Sequence, residues 1–176
     1  IDLEDIPRFY NLGVIASLQG IHMSSDRPWA IDRLGKKRIK DSAYPWQKLF
    51  KLGTVIINGT DSPVEPISPI ASFYASVSRK TLNKTPEGGY EPEEKMSRDL
   101  ALRTYTINAA YGAFEEKIKG SIEIGKLADL TILDKDIMSI DEDEILDTKV
   151  YMTIVGGKIV YSKWLYPILL TPYLIR

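Results

Sequence analysis

Leu3, Ile6 and Tyr10 fall on one face at helical spacing, and the pattern predicts a helix over residues 2–12. Asp2 is placed to cap it, and acidic residues crowd its first turn. Gly13 then stands where a helix ends in the left-handed conformation. Residues 14–18 form a strand-length apolar run without alternation, the mark of a strand buried on both faces of a parallel sheet. The same cassette returns: a short helix over 46–52, Gly53, a second apolar strand over 54–57 and a helix over 69–78. Helix, glycine, buried strand and helix are the grammar of β/α units.

Residues 85–94, rich in Gly, Pro and acid, predict a surface loop. Ser97 caps a long expected helix reaching Phe114, with Leu100, Ile107, Tyr111 and Phe114 on one stripe. Beyond Gly120 the pattern changes to strands over 127–133 and 149–155. Gly156-Gly157 then turns the chain into a hairpin partner over 158–161. The expected organisation is a β/α part over 1–119, a β-rich part over 120–162 and an apolar tail over 163–176.

Composition removes several function classes. The 23 basic and 24 acidic residues leave a net charge of −1, so nothing drives binding to nucleic acid or an anionic membrane. There is no cysteine, which excludes disulfides, thiolate metal sites and a cysteine nucleophile, and His22 is the single histidine. The tail from Trp164 is apolar but has only 13 residues, with Pro167 and Pro172 among them, against the ~20 that a membrane span requires. No signal peptide is read at the start, and a cytoplasmic protein is expected. The chain opens on Ile1 and reads as a piece of something longer.

His22 lies four residues past the first apolar strand and Asp61 just past the second. Loops at the carboxyl ends of parallel strands line the sites of β/α folds, so both side chains fall on the rim where chemistry sits. An imidazole and a carboxylate there suit a divalent metal, the carboxylate also taking a proton from water. The plainer alternative is a satisfied loop histidine and a turn or capping aspartate. Arg27, Trp29 and Arg33 follow His22, either lining a substrate pocket in a loop or lying on a solvated helix over the rim. Tyr44, Pro45 and Trp46 read as packing or as an aromatic pocket wall. The acidic run 141–144 reads as a solvated helix start; it lacks the glycine and glutamate spacing of a calcium loop.

Longer motifs add a resemblance. Asn58-Gly59-Thr60-Asp61-Ser62-Pro63-Val64-Glu65-Pro66 resembles the last-strand motif of the amidohydrolase superfamily. The stretch 120–134, GSIEIGKLADLTILD, resembles that superfamily's return into its small β domain. With Ala16-Ser17-Leu18-Gln19-Gly20-Ile21-His22 and Tyr151-Met152-Thr153-Ile154-Val155-Gly156-Gly157, the similarity is to the amidohydrolase-3 branch over about 1–161. That branch includes N-substituted formamide deformylase-like proteins and those labelled exoenzyme regulatory protein.

The resemblance implies an α/β fold, the C-terminal part of a (β/α)8 barrel followed by strands of a small β-sandwich. It implies a metal-dependent hydrolase, with zinc the favoured ion, cleaving a non-peptide C–N bond of a small amide or formamide by metal-activated water. His22 then matches the histidine of the sixth strand, a metal ligand or substrate-orienting group. Asp61 matches the aspartate of the eighth strand, which binds metal and shuttles the proton, and Arg27 and Trp29 become candidate substrate contacts. The paired histidines of the first strand, the bridging lysine or acid of the fourth and the histidine of the fifth have no counterpart here. The chain is therefore expected to lack activity and stoichiometric zinc alone, and to need its missing amino-terminal part or a second copy. The rival expectation is a truncated, non-catalytic regulatory or interaction protein.

Overall fold

The structure is a computed structural model, and residues 1–163 are described. The apolar tail, residues 164–176, lies outside the described residues, and with it the expectation that this tail or a second copy of the chain covers the open edge of the β-rich part. A 3-10 turn, Leu3–Asp5, leads into α1, Ile6–Asn11. The expected helix thus forms in two short pieces, and Asp2 makes no side-chain capping bond. Gly13 takes the expected positive φ of 66°. Strand β1, Ala16–Leu18, is followed by α2, Gly20–Ser42, α3, Trp46–Lys51, β2, Ile56–Asn58, and α4, Pro69–Ser78.

β1 and β2 pair directly and in parallel, with Ala16 opposite Ile56 and Leu18 opposite Asn58. Bonds from Ala16 N–H to the Val55 carbonyl and from Gly59 N–H to the Leu18 carbonyl extend the ladder at both ends. This pairing corrects the strand assignment made from the resemblance. In a (β/α)8 barrel each strand is laddered to the strands before and after it in sequence, so this pairing fits neighbouring strands and not the sixth and eighth.

The segment from Gly20 to Ser42 is helical, with one break at Gly35, whose φ of 74° and ψ of 162° interrupt the helix. Arg27, Trp29 and Arg33 therefore lie on a helix, but not a wholly solvated one, since Arg27 is buried. The long helix expected from Ser97 to Phe114 is divided: α5, Arg98–Tyr105, and α6, Ile107–Gly112, are separated at Thr106, with φ −118° and ψ −99°. Ser97 does cap α5, its side chain accepting from Leu100 N–H at 3.1 Å.

The β-rich part forms one antiparallel sheet, β3 (Leu130–Leu133), β4 (Val150–Val155) and β5 (Lys158–Ser162), with β4 central. Gly156 and Gly157 make the predicted hairpin turn, both at positive φ. The core runs through both parts. Trp46, Leu49, Ile56, Phe73, Tyr74 and Leu100 pack in one cluster with Ile137 and Ile145. The acidic run does begin a 3-10 helix, Glu142–Asp147, capped by Asp141. It is not simply solvated. Asp143 accepts from the Tyr74 hydroxyl (2.9 Å) and from Lys80 (2.8 Å), and Glu142 pairs with Lys80 and Lys95.

Candidate functional site

The first turn of α2 carries His22, and its placement depends on partners far along the chain. A helix leaves its first N–H groups without intrahelical acceptors, and Gln19 at the cap position provides no side-chain bond. Two buried side chains replace the missing cap. Gly20 N–H donates to Asn58 Oδ1 at 2.9 Å, and Ile21 N–H donates to Ser72 Oγ at 3.1 Å. Asn58 is the last residue of β2, three positions before Asp61.

The result is a short contact between the two sequence-predicted residues. His22 Nε2 lies 3.0 Å from Asp61 Oδ2. His22 Nδ1 lies 3.6 Å from Asp26 Oδ2, one helical turn on. Asp61 sits at φ 57°, a left-handed conformation uncommon outside glycine, and such strain gathers at functional sites. Its carbonyl accepts from the N–H groups of Val64 and Glu65, which closes the turn. The Ser25 hydroxyl donates to Glu65 Oε1 at 2.6 Å, giving this second acid the task of joining the Asp61 turn to α2.

Beside His22 and Asp26 opens a cavity of about 440 Å³, walled by Phe9, Leu18, Tyr44 and Trp46. Tyr44 and Trp46 thus serve both readings, since Trp46 is core and also faces this space. Burial, with the Asp26 charge nearby, pushes the Tyr44 hydroxyl up to about 12, so it keeps its proton well into the alkaline range.

Arg27 and Trp29 are placed differently from one another. Trp29 is exposed. Arg27 is buried and engaged, with both Nε and Nη2 donating to the Glu91 carboxylate and its guanidinium 4.6 Å from the centre of the Tyr90 ring. Glu91 also accepts from Arg79, a fully buried arginine stacked at 4.6 Å over Trp46. The hydrogen bond to Glu91 raises the pKa of Arg27, whereas burial lowers that of Arg79. Asp26, Asn58, Ser72 and Glu91 are the site-building residues that the sequence reading passed over. The i, i+4 spacing of His22 and Asp26 would have exposed the first, given the helix. The other three act through contacts 38 to 64 residues apart.

An imidazole nitrogen and a carboxylate oxygen are donors that suit zinc and similar ions. Their 3.0 Å contact is a direct hydrogen bond, shorter than the ~3.4 Å between two ligands held at ~2.1 Å by a tetrahedral ion, so the two atoms would part slightly to share one. The number of donors is smaller than an ion requires. Among the described residues, no group of three or more His, Asp or Glu side chains gathers that could hold a metal.

Comparison with known proteins settles the kinship. The Amidohydrolase family matches residues 1–161. This chain belongs to that family. It is 34% identical over 163 residues to the putative amidohydrolase YtcJ of Bacillus subtilis, covering 93% of this chain and 31% of that protein. It is 32% identical over 120 residues to the N-substituted formamide deformylase of Arthrobacter pascens, covering 68% of this chain and 22% of that enzyme. The chain therefore spans less than a third of the length of these curated relatives. Among solved structures, an uncharacterized metal-dependent hydrolase from Pyrococcus horikoshii superposes with a TM-score of 0.69 at 28% identity, over 81% of this chain and 28% of that one. The mixed α/β fold is thus the amidohydrolase one. No described helix is long and apolar enough to cross a membrane.

Proposed function

We propose that the chain contributes the C-terminal part of a metal-dependent hydrolase acting on a non-peptide C–N bond of a small amide or formamide. Residues 1–119 would be the last portion of its (β/α)8 barrel and 120–162 strands of its small β-sandwich. The observation that carries this reading is the 3.0 Å contact of His22 with Asp61, on one rim of paired parallel strands, in a chain of this family. His22 Nε2 and the Asp61 carboxylate are the donors that would hold a divalent ion, zinc by their chemistry, with further ligands from outside these 176 residues. When bound, such an ion supplies an acidified water and polarises the carbonyl oxygen. Asp61 Oδ2 would accept the water proton and return it to the departing nitrogen. The aromatic wall of the cavity beside His22 would take an apolar substituent of the amide, and exposed Trp29 is the candidate substrate contact at the solvent side of α2. Arg27 would reach substrate only by leaving Glu91, so its part is to hold the wall.

A second reading, a non-catalytic remnant with an interaction role, is favoured by one observation: only two donors converge among the described residues. One experiment separates them. The reading frame upstream of Ile1 is determined, and the whole protein is expressed with zinc and assayed on N-substituted formamides and other small amides. The hydrolase reading expects further histidines upstream, turnover of a C–N substrate, and a loss of ~10²–10⁴-fold in Asp61→Asn. A frame opening near Ile1, or turnover unchanged by Asp61→Asn, overturns it.

A further inference from the structure

The pair His22–Asp61 is joined underneath by a continuous buried polar network. Asn58 stands at its centre: Oδ1 accepts from Gly20 N–H, and Nδ2 donates to Ser76 Oγ at 3.1 Å. The Ser76 hydroxyl donates to the Ser72 carbonyl at 2.9 Å. The Ser72 hydroxyl accepts from Ile21 N–H and donates to the Gly59 carbonyl at 3.3 Å. Gly59 N–H in turn donates to the Leu18 carbonyl at 3.0 Å. Every member of this circuit is placed between the two loops that carry the site. Gly20 and Ile21 precede His22, while Asn58 and Gly59 precede Asp61.

Burial gives the circuit its directing strength. Asn58 is 9% exposed, and Ser72 and Ser76 are fully buried. A buried amide or hydroxyl that loses its partner has no water to replace it, so alternative arrangements of the two loops are penalised. Space reinforces this. A side chain at Gly20 would meet Ser76 Oγ and come within 2.9 Å of the Ser72 carbonyl oxygen, so α2 approaches α4 as closely as glycine permits. A helix whose cap is supplied by the neighbouring strand cannot shift without breaking that strand's own contacts.

We propose that Asn58 is a positioning residue: by capping α2 from the end of β2 it sets the distance between His22 and Asp61. The inference rests on the hydrolase reading for the purpose of that geometry, but not for its existence. Asn58 touches neither substrate nor reacting atoms.

The single histidine makes the test direct, because the imidazole region of a long-range ¹H–¹⁵N spectrum of the 176-residue chain reports His22 alone. Spectra are compared for the parent chain, Asn58→Ala, Asp61→Asn as the reference for a broken contact, and Ile56→Val as a control that destabilises β2 without touching the circuit. The proposal expects the Asn58→Ala imidazole signals to move to the Asp61→Asn positions, while those of Ile56→Val stay with the parent at a comparably lowered melting midpoint. Signals unchanged in folded Asn58→Ala, or moved equally in Ile56→Val, overturn it. If Asn58→Ala does not fold, Ser76→Ala releases the amide from its second anchor and is expected to shift the His22 signals part of the way; an unshifted spectrum there overturns the proposal. Failure of the whole protein to cleave any C–N substrate would overturn the hydrolase reading and leave these spectra to decide the role of Asn58.

Discussion

At the scale of single residues, the site depends on positions chosen for what they leave out. Gly20 has no side chain, and that absence lets α2 start against Ser72 and Ser76 with its N–H on Asn58. A methyl group there must push backbone as well as a hydroxyl, because one of the atoms it meets is the Ser72 carbonyl oxygen. Overpacking of this kind costs ~1–3 kcal/mol. Gly20→Ala is therefore expected to lower stability by about 2 kcal/mol in denaturant titration. Gly59→Ala, whose added methyl meets nothing, should cost far less. Equal losses would show that α2 has room to move. Asp61 is the converse case, an L-residue held at φ 57° where glycine would rest more easily. The side chain is kept at that strain, and it is the one that reaches His22.

At the scale of elements, α2 is the part of the fold that its own sequence supports least. It contains Pro28, is broken at Gly35 and has no local side-chain cap. What holds it is tertiary: Asn58 and Ser72 at its start, the Ser25–Glu65 bond, and Arg27 clasped by Glu91. The Glu91 carboxylate lies between two buried guanidinium groups, and removing one partner of a buried ion pair typically costs ~3–5 kcal/mol. Glu91→Gln keeps the shape and removes the charge. It is expected to destabilise the chain by about 3 kcal/mol and to increase hydrogen exchange in α2 and the Tyr44–Trp46 wall before the β3–β5 sheet. Uniform loosening would deny the clasp its local role. These anchors also explain what could be read in advance. α4 was legible to the residue, Pro69–Ser78, because proline at its start and an apolar body are local signals. The hairpin at Gly156-Gly157 was legible for the same reason. His22 and Asp61 were located by their distance past two apolar strands, and singled out as a site by the resemblance of the motifs that contain them. Asn58, Ser72 and Glu91 were not, since each acts on a segment dozens of residues away. The expected helix from Ser97 was cut at Thr106, just where Gly120 packs so closely that a Cβ there would come within 2.9 Å of Ile107 Cα, a contact invisible to periodicity.

At the scale of the whole molecule, the β/α part and the β-rich part are fastened by charge as well as by the shared core. Tyr74 and Lys80, on α4 and just after it, meet Asp143, while Lys80 and Lys95 meet Glu142. The bond from Lys80 is the chief cause holding the Asp143 carboxyl below the usual carboxylate range, and the same bond raises Lys80. The sign of the pH dependence follows. A carboxylate with a depressed native pKa stabilises the fold above its unfolded value, near 4, and loses that contribution as pH falls through the native one. A lysine with a raised pKa stabilises the fold below its unfolded value, about 10.4, and loses that contribution as pH rises through the native one. The strap is therefore whole between about pH 4 and pH 10. Asp143 is partly open to solvent, so screening limits the pair to ~1 kcal/mol at most, or ~2–4 °C in melting temperature for a chain of this size. Asp143→Asn should lower the midpoint by that amount at pH 7 and by progressively less towards pH 3, where the parent has itself lost the charge. Lys80→Gln should show the same trend on the acid side with a somewhat larger loss at pH 7, because it also removes the pair with Glu142. Differences between parent and variant that stay constant from pH 7 to pH 3 would mean that the Lys80–Asp143 charge pair does not fasten the two parts, leaving that to the packing of Ile137 and Ile145 in the common core and to the contacts of Lys95 and Arg98.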